Sequence, residues 1–129
     1  MTSFTTVVPN ELEWVTRPHE EGEPARHVAA VSQALGSSHV PANVWRYEPG
    51  AKGKRHVHAN QEETFVVLSG ALTMYVGEPP ERVLVASGSV INVPAGTPLQ
   101  AANHGDEDLV VYAYGYPPDH GAAVLEPAV

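Results

Sequence analysis

Hydrophobic and polar residues alternate over short stretches along most of the chain, and Gly or Pro stands at the end of nearly every stretch. A period of two is typical of β-strands that bury one face. From residue 40 onward the pattern predicts strands at 43–48, 63–68, 71–76, 82–86, 90–93, 99–103 and 109–116. Because no long helical pattern separates them, they predict an antiparallel sandwich or barrel rather than a parallel α/β sheet.

The first third of the chain gives a less uniform pattern. Residues 4–8 have the composition of a strand, and residues 26–35 fit either a strand or a short helix that ends at Gly36. Residues 69–70, Ser-Gly, are the only residues between two predicted strands, and they predict a tight hairpin turn. The expected division is an N-terminal arm at 1–24, a barrel at 25–118 and a C-terminal tail at 119–129.

Composition narrows the classes of function. The chain has 129 residues, of which 43% are hydrophobic, and this is typical of one globular domain. Its formal net charge of −8 would repel phosphate backbones, so no nucleic-acid partner is expected. The absence of cysteine excludes disulfides and thiolate ligands. No signal-peptide pattern and no membrane-length apolar stretch are recognisable, which predicts a soluble cytoplasmic protein without a membrane partner.

The candidate chemistry lies between two predicted strands. His56 and His58 are two residues apart, so in a strand their imidazoles share one face and can chelate one ion. Glu63 follows after a short turn, and a hairpin there would bring its carboxylate opposite the histidines. Alternation places Glu63 with the inward residues of its strand and turns Glu62 outward. Two imidazoles and a carboxylate suit a divalent Fe, Mn, Ni, Co or Zn ion, whereas the alternative is a pair of surface histidines.

The spacing of these residues resembles a known family. It is similar at every position to the first motif of the cupin superfamily, which here comprises Gly50, His56, His58, Glu63 and Gly70. A second cupin motif follows in Gly88, Pro94, Gly96 and Asn103. The resemblance covers residues 50–103 and implies a small single-domain cupin. Such a protein is all-β: a jelly-roll-like barrel known as a double-stranded β-helix, here with an N-terminal arm.

One position departs from the cupin pattern. The resemblance implies a fourth metal ligand, usually His, where this chain has Leu99. Leucine cannot bind a metal, so the ion would have three protein ligands and a more open, more apolar site. Gln100 and His104 are the nearby alternatives, although strand alternation turns Gln100 away and His104 falls in a predicted turn.

Several apolar and aromatic residues are candidates for the wall of a pocket. Trp45 and Tyr47 share one face of their strand, and they could either line a pocket or pack in the core. Phe65 shares a face with Glu63, and Leu99 would stand beside the ion. The strand at 63–68 is apolar on both faces and therefore needs cover on both sides, which predicts a homodimer.

The resemblance implies a metal-dependent enzyme, such as a dioxygenase, an isomerase or a lyase, that acts on a small organic molecule. The alternatives are a non-catalytic cupin that binds a small ligand and a barrel that serves only as a dimerising scaffold. The apolar Leu99 favours the ligand-binding alternative. The sequence assigns no catalytic residue, because a barrel of this kind supports many unrelated reactions.

Overall fold

The computed structural model describes residues 3–118, 122–125 and 128–129. It contains one short 3₁₀ turn, one short helix and eleven strands. In chain order these are the 3₁₀ turn Pro9–Glu11, β1 Trp14–Thr16, β2 Arg26–Ala30, α1 Val31–Leu35, β3 Ala42–Tyr47, β4 His56–Val57, β5 Glu62–Ser69, β6 Leu72–Val76, β7 Glu81–Val85, β8 Val90–Val93, β9 Leu99–Ala102, β10 Leu109–Tyr116 and β11 Ala123–Val124.

The strands form two antiparallel sheets that share one core. One sheet has the order β1-β2-β3-β10-β5-β8, and the other has the order β11-β4-β9-β6-β7. Apart from β1-β2-β3 and β6-β7, neighbours in each sheet are distant in the sequence, because the chain passes repeatedly from one sheet to the other. The all-β prediction is confirmed, and each of the seven strands predicted between residues 43 and 116 lies within one residue of its observed bounds.

Three local predictions are corrected. Residues 4–8 form no strand. The ambiguous stretch 26–35 is both structures in succession, since β2 runs directly into α1. Residues 69–70 are not a hairpin turn, because β5 and β6 belong to different sheets. Gly70 carries the chain between the sheets with φ +79°, and a Cβ atom there would stand 2.6 Å from the carbonyl oxygen of Asp108.

The core lies between the two sheets. Its most deeply buried side chains come from both of them, and Val67, Leu72, Met74 and Leu109 have no exposed surface. A second cluster lies outside the six-stranded sheet, where residues of the N-terminal region cover β3; it comprises Val31, Ala42 and Val44 with Val7, Leu12, Trp14, Leu35, Val110 and Tyr112. None of the helices in the described part of the chain has the length and hydrophobicity that a membrane span requires.

Both ends of the chain contribute strands. β1 pairs with β2 at the edge of the six-stranded sheet, and β11 pairs with β4 at the edge of the other sheet. Residues 119–121 and 126–127 of the predicted tail lie outside the described residues. The division into arm, barrel and tail therefore stays a prediction.

Candidate metal centre

His56, His58 and Glu63 converge at one end of the space between the sheets. The imidazole Nε2 atoms of His56 and His58 lie 3.5 and 3.0 Å from Oε1 of Glu63. Each residue offers a ligand atom within 4.8 Å of the other two. The convergence does not come from a hairpin, because β4 and β5 belong to opposite sheets that face each other across the cavity.

The His56 ring is oriented by the backbone. Its Nδ1 lies 2.9 Å from the carbonyl oxygen of Lys54. A carbonyl can only accept, so Nδ1 carries a proton and donates it, which directs Nε2 toward Glu63. Burial lowers the pKa of His56, but the Glu63 carboxylate and the Lys54 carbonyl raise that pKa above its usual value. In the metal-free protein, His56 therefore retains a proton more readily than an ordinary histidine does.

Glu63 provides the clearest indication that these residues suit a metal ion. Its side chain is 16% exposed, and its Oε1 is buried without accepting a hydrogen bond from the described residues. Both imidazoles lie within ion-pair distance of that oxygen. A buried carboxylate oxygen without a hydrogen bond is costly, and a divalent cation would satisfy it. The three side chains thus fit the metal that their residue types predict, while Glu62 is exposed as expected.

Leu99 is the residue at which the cupin resemblance implies a fourth ligand. It is the direct cross-strand partner of His56 and is 3% exposed. Directly opposed residues in an antiparallel pair point to the same face, so Leu99 presents a methyl-bearing side chain beside the imidazole.

The two alternative ligands face elsewhere. The side chain of Gln100 donates to the carbonyl oxygen of Gly53 at 3.0 Å and accepts from the amide of Val129 at 2.7 Å. His104 lies 2.8 Å from the hydroxyl of Tyr75. Among the described residues, the candidate site therefore has three protein ligands.

The triad faces a cavity of about 560 Å³. All four predicted pocket residues line it: Trp45, Tyr47, Phe65 and Leu99. Tyr47 and Phe65 are also members of the main core cluster, so a pocket residue and a core residue are not exclusive alternatives here.

Strand β10 makes room for this cavity by a gradient in side-chain size. Its inward residues are Leu109, Val111, Ala113 and Gly115, in that order. Leu109 belongs to the packed core, whereas the three smaller residues line the cavity. Gly115 stands directly opposite Glu63. A Cβ atom at Gly115 would stand 2.6 Å from the side chain of Gln61, so this position has no space for a side chain.

Sequence reasoning missed the cations of the cavity. Arg17, Arg26 and Lys54 line it, and Arg26 also lies over the rings of Trp45 and Tyr47. Arg26 and Val28 are two residues apart, and in a strand this spacing places them on the same face. The sequence does not reveal, however, that this strand pairs with β3 and thereby shares a face with Trp45 and Tyr47.

Tyr47 is a buried tyrosine of the cavity wall. Burial raises its pKa above the usual value, against the lowering influence of the nearby Arg26 charge, and the Glu63 carboxylate adds to the rise. Tyr47 is therefore protonated at neutral pH and can donate a hydrogen bond into the cavity.

Residues 43–114 match the model of the cupin domain family, which is more than half of the chain. A sugar phosphate isomerase of the cupin superfamily from Silicibacter pomeroyi has a similar structure, with a TM-score of 0.78 at 22% identity over 95% of this chain and 83% of that one. At this identity the likeness shows the fold. No curated protein matches the chain in sequence.

Two further structures are similar. A protein from Thermotoga maritima, whose oxalate decarboxylase activity is itself a prediction, has a TM-score of 0.75 at 18% identity over 88% of this chain and all of that one. Oxalate decarboxylase from Bacillus subtilis, a protein with Mn(II) centres, has a TM-score of 0.65 at 26% identity over 84% of this chain. The present chain spans only 29% of the latter's length.

Proposed function

The chain belongs to the cupin domain family, and on that premise we propose that it is a metal-dependent enzyme acting on a small organic substrate. Under this proposal His56, His58 and Glu63 hold one divalent ion, which is Fe, Mn, Ni, Co or Zn. The activities of its structural neighbours, an isomerase and a decarboxylase, are compatible with the isomerase and lyase alternatives. A dioxygenase is the third alternative, and it requires iron or another redox-active metal.

One observation carries the proposal. Three side chains bring ligand atoms within 4.8 Å of one another, and Glu63 among them has a buried carboxylate oxygen that accepts no hydrogen bond from the described residues. Structural ion pairs normally satisfy each other by hydrogen bonds, and burying a carboxylate without them destabilises a fold. A site of this kind at the wall of a cavity is better explained by metal binding than by stability.

The residues of the site would have different roles in the reaction. When bound, the ion would act as a Lewis acid on a substrate oxygen or, if it is iron, provide positions for O₂. With three protein ligands, the ion would keep open coordination positions, and a substrate oxygen could reach them from the cavity. Tyr47 keeps its proton at neutral pH and can donate a hydrogen bond to a substrate oxygen that gains negative charge. Phe65 and Leu99 exclude water from the walls.

Elemental analysis of the purified protein tests the metal assignment. We expect about one equivalent of a divalent metal, and we expect its loss in His56→Ala, because two remaining ligands bind a metal weakly. His104→Ala is the matched control, since that histidine lies outside the triad. Equal metal content in the wild-type chain and His56→Ala would refute the assignment of His56.

The identity of the metal then selects the reaction to assay. If iron is present, oxygen uptake with candidate catechols, diketones and thiols tests the dioxygenase alternative. If manganese, zinc or another metal is present, hydroxy acids, keto acids and sugars test the isomerase and lyase alternatives. Tyr47→Phe should lower turnover while it leaves the metal content unchanged.

A non-catalytic ligand-binding cupin is the second candidate, and the buried Leu99 beside His56 favours it. An apolar side chain at this position lowers the number of ligands and with it the affinity for the ion. Saturable binding of a small organic molecule without turnover, whatever metal is supplied, would support this candidate. A barrel that only dimerises would show neither binding nor turnover.

We also propose that the protein is a homodimer. The outer face of the six-stranded sheet exposes large apolar side chains, among them Leu68, Val90 and Tyr116, which are 51%, 58% and 58% exposed. Sedimentation velocity should give a dimer that Leu68→Glu dissociates. Leu84→Glu is the matched control, because that leucine is exposed on the other sheet. The predicted cytoplasmic location can be tested by cell fractionation.

A further inference from the structure

The cavity is positively charged, although the chain as a whole is acidic. The chain has a formal net charge of −8 and only 7 Lys and Arg residues. Three of these cations, Arg17, Arg26 and Lys54, line the cavity, whereas Glu63 is the single acidic residue of its lining in the described part of the chain. Because Glu63 would neutralise part of a bound ion, the remaining field attracts anions.

Arg26 is the cation that is held inside. It lies on β2 directly opposite Tyr47 and is partly buried, whereas Arg17 and Lys54 are exposed. Its guanidinium carbon lies 5.4 Å from the centroid of the Trp45 ring and 5.8 Å from that of Tyr47. The two aromatic rings restrain the guanidinium plane, and one N–H group reaches the Tyr47 hydroxyl, which leaves other N–H donors of the five available.

Two other arginines of the chain form ion pairs with carboxylates. Arg55 donates to the Glu78 carboxylate at 2.7 Å, and Arg46 donates to Asp108 at 3.3 Å. Arg26, by contrast, forms no ion pair with a carboxylate of the described residues. A partly buried cation without a counter-ion is unfavourable in the free protein, and an anionic ligand would supply one.

Arg26 also lines the same cavity as the triad. The cavity thus has two attachment points, a metal site on one wall and a guanidinium on another, with about 560 Å³ between them.

We propose that Arg26 is a substrate-binding residue that selects an anionic organic substrate, with its carboxylate or phosphate group at the guanidinium and an oxygen of the same molecule at the metal triad. This proposal rests on the proposed function for the second contact only. The planar fork of arginine suits both kinds of anion, since each presents two oxygens to it.

Calorimetric titration with matched probes tests the proposal. Lactate and glycerol phosphate carry the two anionic groups, and lactamide and glycerol are their uncharged counterparts. At least one anion should bind about tenfold or more tightly than its neutral counterpart, because a hydrogen-bonded charge of this kind stabilises binding considerably. The pair of probes in which the anion binds more tightly than its neutral counterpart identifies the anionic group that Arg26 prefers.

Variants locate the effect at Arg26. Arg26→Gln should abolish the preference for the anion with unchanged metal content, and Arg26→Lys should restore part of it. Arg46→Gln is the matched control on the opposite face of the sheet and should keep the preference. If Arg26→Gln retains the full preference, or if the wild-type protein does not distinguish anions from neutral molecules, the proposal is wrong.

Two further measurements keep the test independent of folding and of the metal. In the wild-type protein, the Nε–H resonance of Arg26, assigned by its loss in Arg26→Lys, should shift with the anion and not with its neutral counterpart; an unchanged resonance contradicts the proposal. In His56→Ala, weaker but Arg26-dependent anion binding should persist. If the protein holds no metal but keeps that dependence, the proposed function fails and the anion site stands. If it holds metal without that dependence, only the anion site fails.

Discussion

The two ends of the interior are built by the same strands, yet one is a packed core and the other is a cavity. Along β5 the inward residues change from Val67 to Phe65 and then to Glu63. Along β10 they shrink from Leu109 to Gly115. A few positions at one end of each strand are therefore sufficient to convert the core of a barrel into a binding site, while the opposite end keeps the fold together.

The two ends also differ in how they contribute to stability. At the packed end, Leu72 and Met74 are fully buried, and each such side chain stabilises the fold by roughly 1.5–3 kcal/mol. At the open end, partly buried titratable groups and Arg26 replace apolar packing. Such an arrangement costs stability, and it is typical of sites that bind a ligand.

The largest expected effect is at the packed end. Leu72→Ala should lower the free energy of unfolding by about 2–5 kcal/mol, because the removed atoms leave a cavity in a well-packed core. Leu84→Ala, at a leucine that is 71% exposed, should change it by less than about 0.5 kcal/mol. Urea denaturation of the metal-free proteins measures both. Similar losses in the two variants would show that this end is not the main source of stability.

The next largest effect is at the open end and concerns metal binding. Glu63→Gln keeps the shape of the side chain but removes its charge, so metal affinity should fall by at least about a hundredfold. Its neighbour Glu62 is exposed, and Glu62→Gln should leave the affinity unchanged. Competition with a fluorescent chelator measures both affinities. Equal affinities in these two variants would contradict the assignment of the carboxylate ligand.

A gain of affinity is expected from completing the site. Leu99→His should tighten metal binding by about tenfold, since residue 99 stands directly opposite His56 and an imidazole there adds a fourth ligand. Leu99→Phe is the control, because a phenyl ring is comparable in size to an imidazole ring but cannot bind a metal. The same chelator competition applies, and equal affinities would mean that residue 99 does not face the ion.

The smallest effect is a pH dependence of the metal-free protein. The pKa of His56 is raised above its usual 6.5, so protonated His56 stabilises the fold. That contribution is fully present below pH 6.5, the value in the unfolded chain, and is lost as the pH rises through the folded pKa. In Glu63→Gln the loss should be smaller, because the carboxylate that raises the pKa is gone.

Thermal unfolding at several pH values measures this dependence. Whereas the stability of the metal-free protein should fall as the pH rises, the increase in Tm caused by added metal should grow with pH. The reason is that the histidines must be neutral to bind the ion. An identical pH profile in Glu63→Gln and the wild-type protein would show that Glu63 does not set the pKa of His56.

Strand positions were predictable because alternation and turn residues are local properties. The strands at 90–93 and 109–116 were predicted with their observed bounds. Errors arose where the outcome depended on distant partners. The composition of residues 4–8 is suitable for a strand, but these residues gain no pairing partner. The turn at 69–70 has hairpin composition, yet its two strands pair in different sheets.

The sequence by itself determined the all-β fold and the three candidate ligands, because periodicity and the spacing of His56, His58 and Glu63 are readable without partners. Only the tertiary structure decided how these ligands meet, which is across two facing sheets and not in a hairpin. It also brought Arg26 beside Trp45, since strand order is set by long-range pairing and the burial it achieves. Local pattern determines which face a side chain takes, and the topology of the sheets determines what that face meets.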